Sequence, residues 1–338
     1  MAGLALPALA LVASADEGSP LRPVDAGPPL RPPVTVLRAV DRAPSTSALS
    51  TDAPKKELIV LVGGYGSGTE DQFFDGLRTR VAAQGGYDVV RFGRELGAYD
   101  TFGAVDANAL QLRDSIRAAS VGYDGVHIVT HSMGGVVADR AFELGLSASD
   151  GVSTYVAWSA PHDGAHIAQA AQTTLAVSGP ARADTRTFTT TYFRDRDPDD
   201  VAIRDMARLR AAGPPPGVVR LDLRLATDAL VSAADARDPG VASRVLLPAS
   251  WRELEGHGGI SQSDEALDLT LATIRTHAVP PDRRGAALRA ASEAIAQTFD
   301  HYAQIALVGV CSLCLIGGIS GLFWRTLRRA LPWPPLSE

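Results

Sequence analysis

The amino-acid sequence predicts an α/β fold with a mainly parallel sheet and helices on both of its faces. Short apolar runs of the kind that form buried strands alternate along the chain with longer segments of helical periodicity. This alternation is typical of βαβ units, in which each helix crosses back over the sheet. The chain has 338 residues, enough for one large domain and additional segments.

The composition argues against several classes of function. The chain is 46% hydrophobic and 21% charged, as in globular proteins, and its formal net charge of −6 argues against a nucleic-acid partner. The two cysteines, Cys311 and Cys314, both lie in an apolar C-terminal segment. The predicted globular domain therefore has no disulfide framework, no cysteine nucleophile and no cysteine-based metal site.

Two N-terminal segments are predicted to precede the globular domain. Residues 1–15 are apolar and uncharged and end in the small residues Ala13-Ser14-Ala15, a pattern typical of a signal peptide. The usual positive region is missing, so a retained apolar anchor and an unstructured terminus are the alternatives. Residues 16–56 are rich in proline, which predicts an extended linker.

The globular domain is predicted to cover residues 57–278. Its first strand, 58–62, is a continuous apolar run that ends in the glycine-rich loop Gly63-Gly64-Tyr65-Gly66. The later elements follow in alternation, with strands at 87–92, 126–129, 154–158, 218–225 and 245–247 and helices at 71–83, 106–119, 134–144 and 264–276. The polar, alanine-rich segment at about 165–216 interrupts the alternation and predicts a small helical cap between two strands.

The stretch 126–135 indicates a nucleophile. An apolar strand leads into a tight turn at Ser132, and a helix follows from Gly134. Such a turn lifts a serine hydroxyl above the carboxyl end of a sheet. Thr130 stands where the G-x-S-x-G pattern has glycine, and we expect its β-branched side chain to crowd the turn. A serine in an ordinary strand-to-helix turn is the alternative.

A serine nucleophile needs a base, and the base needs a carboxylate that orients it. Asp228 follows the predicted strand 218–225, and His257 lies in a glycine-flanked loop after the short last strand. Serine, acid and histidine therefore occur in the chain order that accompanies a nucleophile elbow. We predict that Ser132, Asp228 and His257 form a catalytic triad.

Other acids and histidines remain alternatives. Asp222, inside the strand, and Asp235, a few residues beyond it, compete for the role of the acid, and a surface position is the alternative for the histidine base. We expect His131 to point away from the site. His162 and His166 follow an earlier strand, and we expect His162 to line the substrate pocket.

Acyl transfer also requires hydrogen-bond donors for the developing oxyanion. We expect one from the backbone N–H of Met133 and one from Tyr65 in the glycine loop, with Gly64 beside the substrate. The same loop lacks the Lys-Ser/Thr ending of a phosphate-binding loop and matches no dinucleotide fingerprint. We therefore assign no cofactor and no metal ligand from the sequence.

Residues 57–276 resemble an α/β-hydrolase of the lipase or esterase type, and the similarity extends to GPI inositol-deacylase-like hydrolases. The resemblance rests on segments in the family's order, namely the glycine loop, the elbow Thr130-His131-Ser132-Met133-Gly134-Gly135, the segment Ala160-Pro161-His162-Asp163-Gly164, Asp228 and His257-Gly258-Gly259. Gly63 and Thr130 depart from the family's His-Gly-x-Gly loop and Gly-His-Ser-Met-Gly-Gly elbow. The resemblance implies an α/β-hydrolase fold and cofactor-free hydrolysis of carboxylic esters, with small-molecule or lipid esters as substrates.

The C-terminal segments predict attachment to a membrane. Residues 279–304 are predicted to form a juxtamembrane helix, and 305–324 are uncharged over a length that spans a hydrocarbon core of roughly 30 Å. Arg325, Arg328 and Arg329 follow, which places the tail 325–338 in the cytoplasm. We therefore expect a single-pass cell-membrane protein with its hydrolase domain outside the cytoplasm, and a buried core helix is the alternative.

The leading hypothesis is thus a membrane-anchored serine esterase or lipase that works through an acyl-enzyme. The same triad also serves peptidases, thioesterases and acyltransferases. A hypothesis of a different class is an inactive hydrolase fold that acts as a surface binding module. Thr130 at the elbow favours the inactive module, whereas Asp228 and His257 in their expected places argue against it.

Overall fold

The computed structural model describes residues 56–67, 72–169, 201–213, 215–236, 238 and 240–305. The signal-peptide-like segment, nearly all of the linker, the predicted transmembrane helix beyond Ile305 and the predicted cytoplasmic tail lie outside the described residues. Within the described ranges, no helix combines the length and apolar character needed to cross a bilayer.

The strands of the described chain form one parallel sheet in the order β2-β1-β3-β4-β5-β6. Their bounds are β1 Glu57–Val62, β2 Tyr87–Arg91, β3 Val126–His131, β4 Val152–Trp158, β5 Val219–Leu225 and β6 Ala242–Leu246. The predicted parallel sheet is confirmed. The order reverses direction between β1 and β3, and ligands of open parallel sheets bind at the carboxyl end of such a switch point.

Helices cover both faces of the sheet. They are α1 Asp75–Gln84, α2 Val105–Ser120, α3 Met133–Glu143, α4 Val201–Arg208, α5 Asp264–Thr276 and α6, which runs from 286 to the last described residue, 305. In α5 the Ser263 side chain caps the first turn by accepting a hydrogen bond from the Ala266 N–H, which satisfies one of the unpaired donors at the helix start.

The side chains of β1 show why its sequence is apolar without alternation. Leu58 and Val60 pack into a core with α2 and α3, whereas Ile59 and Leu61 pack into a second core with α1 and α5. All four side chains are at most 1% exposed. Each burial of this kind stabilises the fold by about 1.5–3 kcal/mol, so a polar residue on either face of β1 would be destabilising.

An insertion between β4 and β5 forms the described part of the predicted cap. Ile203 and Met206 of α4 pack with Ala165, Ala168 and the first residue of α3, Met133, and Tyr65 lies against the same cluster. Residues 170–200 of the predicted cap lie outside the described part of the chain. The insertion therefore covers the start of α3, next to the turn that precedes it.

The predicted juxtamembrane helix lies against the domain. Ala296 of α6 packs with Ala226 and Val245, beside the last two strands of the sheet. Asp300 accepts a hydrogen bond from Arg224 at 2.6 Å and another from the Ala233 N–H at 2.8 Å. The helix also leaves large apolar side chains exposed, namely Leu288, Ile295, Phe299, Tyr302 and Ile305.

Candidate active site

The turn between β3 and α3 holds Ser132 in a strained conformation. Its φ is 55° and its ψ is −128°, values that a non-glycine residue rarely adopts and that raise the free energy by about 1–3 kcal/mol. The Ser132 N–H donates to the Trp158 carbonyl at 3.0 Å, which ties the turn to the end of β4. This geometry is the one predicted for a nucleophile elbow at the carboxyl edge of the sheet.

Glycines at two positions allow the backbone to pack closely around the turn. A Cβ added to Gly64 would lie 2.8 Å from the Cβ of Ser132, so the loop after β1 approaches the serine more closely than any side chain allows. A Cβ added to Gly134 would lie 2.4 Å from the Val62 carbonyl oxygen. The start of α3 therefore packs directly on the end of β1, and this contact holds the strained turn in place.

Thr130 fits beside the elbow because its surroundings are small. Its side chain is fully buried, and its backbone pairs regularly with Val62 and Ala157 of the neighbouring strands. A Cβ added to Gly135 would lie 3.4 Å from the Thr130 hydroxyl oxygen and 2.2 Å from the Ala160 Cβ. Because Gly135 has no side chain, there is room for the side chain of Thr130 beside the turn. The expected crowding by Thr130 is therefore relieved.

Asp228 and His257 meet at the same edge of the sheet. Nδ1 of His257 lies 3.0 Å from Oδ2 of Asp228, and Oδ1 of Asp228 accepts hydrogen bonds from the N–H groups of Leu230 and Val231, each at 3.0 Å. Burial raises the pKa of the Asp228 carboxyl, but His257 and the Val231 N–H outweigh it, so the pKa is lowered. An ionised Asp228 holds the proton of His257 on Nδ1, which leaves Nε2 free to act as a base.

His131 lies beside His257, so the expectation that it points away from the site is wrong. Its ring stacks on Phe73 at 3.9 Å, and its Nε2 lies 3.1 Å from the His257 carbonyl oxygen. Burial and the neighbouring His257 lower the pKa of His131 to about 3. The ring is therefore neutral and donates from Nε2, which fastens the loop of His257 to the residue that precedes Ser132.

Arg224 stabilises the loop 226–231 that carries Asp228, the acid loop, and the sequence pattern did not predict this role. Its Nε donates to the Val231 carbonyl at 2.7 Å, and its Nη2 donates to the Asp228 carbonyl at 2.9 Å and to Asp300 at 2.6 Å. A buried arginine needs such partners, since an unpaired charge there would be strongly destabilising. A charged residue within a predicted strand was the available signal.

The alternative acid Asp222 belongs to a different buried network. Its carboxylate lies 3.1 Å from Arg220, which also contacts Asp139 at 3.2 Å and Asp238 at 2.6 Å. His162 joins this network through Nδ1, at 2.5 Å from Asp139. Burial alone would lower the pKa of His162, but Asp139 and Asp222 outweigh it and raise the pKa. With its side chain 1% exposed, His162 has little surface to offer a substrate.

The other alternative acid, Asp235, is paired with His166 instead. Nδ1 of His166 contacts the Asp235 carboxylate, and Asp235 also accepts a hydrogen bond from the Ser232 N–H at 3.2 Å. The His166 side chain is 55% exposed. Of the three carboxylates considered, Asp228 is therefore the one that contacts His257.

Two backbone segments flank the serine where oxyanion donors are expected. Met133 is the first residue of α3, and the N–H groups at a helix start have no partners within the helix and attract negative charge. Tyr65 follows Gly64 on the other side, in a loop fixed by a 2.8 Å hydrogen bond from the Tyr99 hydroxyl to the Gly63 carbonyl. The arrangement suits a carbonyl substrate between the two segments.

Comparison with known protein families finds a match to one segment of the chain. A family model described as PGAP1-like alpha/beta domain matches residues 104–178, which contain the elbow. No curated protein is significantly similar to the chain in sequence. The sheet order, the elbow and the matched segment together identify the α/β-hydrolase fold, with a PGAP1-like segment, so the resemblance is confirmed at this level.

Solved structures with a related chain trace are distant. A thermophilic esterase from Thermogutta terrifontis is 15% identical, with 66% of this chain and 91% of that chain covered and a TM-score of 0.45. The Bacillus licheniformis lipase BlEst2 is 14% identical, with coverage of 67% and 93% and a TM-score of 0.45. Aspergillus fumigatus lipase B is 16% identical, with coverage of 79% and 63% and a TM-score of 0.45. Likenesses this distant transfer no substrate and no site residue.

Proposed function

We propose that this protein is a serine hydrolase that cleaves carboxylic esters, with Ser132 as nucleophile, His257 as base and Asp228 as the acid that orients the base. The observation that carries the proposal is the Asp228–His257 pair at the same sheet edge as the strained elbow. His131 joins the two parts, because it contacts the His257 carbonyl and directly precedes Ser132.

The proposed reaction proceeds through an acyl-enzyme. Ser132 Oγ attacks the ester carbonyl while His257 Nε2 accepts the hydroxyl proton, and Asp228 stabilises the imidazolium that forms. The N–H groups of Met133 and Tyr65 donate to the oxyanion. His257 then gives the proton to the departing alcohol. A water molecule, deprotonated by the same nitrogen, hydrolyses the acyl-enzyme and releases the acid.

The apolar cluster beside the elbow favours an apolar acyl group. Met133 and Tyr65 pack with Ile203 and Met206 of α4, so the side chains nearest the proposed oxyanion donors offer apolar surface. Small-molecule or lipid esters with aliphatic acyl chains are thus the proposed substrates. A panel of p-nitrophenyl esters of increasing chain length, tested beside thioesters and peptides, separates esterase and lipase activity from the other chemistries of a triad.

Labelling by a fluorophosphonate probe tests the nucleophile directly. Purified wild-type protein should be labelled and Ser132→Ala should not, because the probe reacts only with an activated serine. The matched control is Ser149→Ala, which removes an exposed serine remote from the elbow and should leave labelling unchanged. Folded wild-type protein that resists labelling would favour the inactive binding module, and labelled Ser132→Ala would place the nucleophile elsewhere.

We also propose that a helix at 305–324 anchors the protein in the cell membrane, with the hydrolase domain outside the cytoplasm. The proposal rests on the uncharged run and the arginines that follow it. Full-length protein should fractionate with membranes. A cysteine at Ser47 should react with an impermeant maleimide on intact cells, and one at Ser337 only after lysis. The reverse pattern would contradict the orientation, and soluble full-length protein would contradict the anchor.

A further inference from the structure

Three potential metal ligands meet at the amino edge of the sheet, the edge opposite to the elbow. Glu57 is the first residue of β1, His127 is the second residue of β3, and His277 follows the last residue of α5. One ligand atom from each lies within 4.8 Å of the others. Ser132 is five positions after His127, which corresponds to roughly 16 Å at about 3.3 Å per residue.

The ring of His127 has an unsatisfied nitrogen that faces this cluster. Its side chain is fully buried, and Nδ1 lies 2.9 Å from the Thr154 hydroxyl. Nε2 makes no hydrogen bond and lies 3.4 Å from Oε2 of Glu57. A buried polar atom without a partner destabilises the fold. When Nδ1–H donates to Thr154, the Nε2 lone pair faces a carboxylate, an arrangement that a cation between them would stabilise.

The spacing of the ligand atoms fits a small divalent ion. Oε2 of Glu57 lies 3.4 Å from Nε2 of His127, and the other oxygen of the same carboxylate, Oε1, lies 3.3 Å from Nε2 of His277. One donor atom from each of the three residues lies within 4.8 Å of the other two. Zinc bonds to nitrogen and oxygen of about 2.0–2.2 Å give ligand separations of about 3.4 Å in a tetrahedron. Histidine nitrogen together with a carboxylate is also a common donor set for zinc, and the other nitrogen of a zinc-bound histidine is usually fixed by a hydrogen bond.

We propose that Glu57, His127 and His277 bind a divalent transition-metal ion such as Zn²⁺, with the fourth position taken by water. The ion would link β1 and β3 to the end of α5, far from the elbow. The site is separate from the proposed ester chemistry, because it lies at the opposite edge of the sheet.

Zinc binding to tag-free, metal-stripped full-length protein tests the proposal. Equilibrium dialysis followed by elemental analysis should find one Zn²⁺ per chain. His277→Ala and Glu57→Gln should each weaken binding at least tenfold, because each removes one of three ligands. Both residues are partly exposed, so these variants should fold. His127→Ala is avoided because that side chain is fully buried.

Two histidine variants serve as matched controls. His301→Ala removes an exposed histidine of α6, and His257→Ala removes the proposed base. Both should bind Zn²⁺ as the wild type does, which separates the proposed site from adventitious binding at the surface or at the elbow. A wild-type chain that retains no Zn²⁺, or a His277→Ala chain that retains as much as the wild type, would overturn the proposal.

Spectroscopy and thermal unfolding give independent readouts. Co²⁺ added in place of Zn²⁺ should produce the visible absorption of a four-coordinate ion in the wild type and not in His277→Ala. Zn²⁺ at about 100 times its Kd should raise the wild-type Tm by roughly 5–10 °C. The Tm of His277→Ala should not respond at the same concentration. An equal rise in both proteins would contradict the assignment of these ligands.

Discussion

Among the buried aspartates that pair with a histidine, Asp228 lies near the elbow and Asp139 lies within α3. The His257 Nδ1 lies 3.0 Å from Asp228, and the His162 Nδ1 lies 2.5 Å from Asp139. The surroundings differ. The His257 side chain is 14% exposed, whereas that of His162 is 1% exposed. A histidine paired with an acid is therefore not by itself a sign of catalysis, since access for a substrate separates the two pairs.

Charge also separates the two pairs. Asp139 lies beside Arg220 as well as His162, and these neighbours outweigh burial and lower its pKa. Asp228 is stabilised by His257 and by backbone N–H groups. A positive charge that forms on His257 during a reaction thus has Asp228 to stabilise it. The Asp139–His162 pair is already part of a network of fixed charges, which suits stability rather than proton transfer.

The largest expected effect is the loss of activity in His257→Ala. Without the base, kcat for ester hydrolysis should fall by about 10³-fold or more, as for other triads, while circular dichroism and Tm should stay close to the wild type. Steady-state kinetics with a p-nitrophenyl ester measures the change. Near-wild-type turnover in this variant would show that the Asp228–His257 pair has no catalytic role that the Asp139–His162 pair lacks.

Asp228→Asn should have the next largest effect. The amide can still hydrogen-bond to His257, but it no longer fixes the proton on Nδ1 or stabilises the imidazolium, so kcat should fall by up to about 10⁴-fold, a smaller loss than in His257→Ala. Asp222→Asn is the control, because Asp222 was an alternative candidate for the acid but contacts Arg220 and not His257. If Asp222→Asn lost more turnover per folded molecule than Asp228→Asn, the acid would be misassigned.

Asp139→Asn should act on stability instead. The change leaves the buried Arg220 and His162 without one of their counter-charges, so the free energy of unfolding should fall by about 3 kcal/mol. Because the pKa of Asp139 is lowered in the folded protein, its contribution is complete above the ordinary pKa of about 4 and is lost as pH falls through the folded value.

Urea unfolding of wild type and Asp139→Asn across pH measures this dependence. The difference between the two proteins should be largest near neutral pH and should shrink below about pH 4. Turnover per folded molecule should change little, because the His162 side chain is only 1% exposed and a substrate cannot reach it. A large kcat loss with unchanged stability would assign a catalytic role to the His162 pair.

The smallest expected effect is that of Asp300→Ala. This change removes the partner of Arg224, which braces the carbonyls of Asp228 and Val231, so kcat should fall by roughly 3–10-fold, because small displacements of catalytic groups are costly. The pH dependence of kcat should also shift, because the position of Asp228 next to the proposed base, His257, changes. Glu293→Ala, an exposed change on the same helix, should leave both unchanged. Identical pH profiles in both variants would restrict Asp300 to a structural role.

Local sequence patterns were enough to predict the sheet and the elbow. Strand β1 is apolar on both faces because both faces are covered, and Ser132 stands between an apolar strand and a helix. Asp228 and His257 were predicted because they follow strands that end at the same edge. These features depend on neighbours in sequence and on the regular order of the fold.

Contacts between distant residues could not be predicted in the same way. Arg224 and Asp300 are 76 positions apart, and no local pattern pairs them. The direction of the His131 side chain depends on Phe73, which stacks on it from another segment. The space beside Gly135 forms only when α3 packs against the end of β4, so the sequence does not reveal it. For this reason Thr130 was expected to crowd the turn. Side-chain direction and long-range pairing are set by packing.

The contact between Asp300 and Arg224 also bears on where this protein can be divided. The regular alternation of strands and helices ends with α5 at Thr276, a natural place to cut or to fuse another module. A chain shortened there would keep the sheet and both cores but would lose the residue that holds Arg224 in place. A shortened or fused protein should therefore keep the chain through Asp300. Replacing only the residues beyond Asp300 should leave the acid loop unchanged.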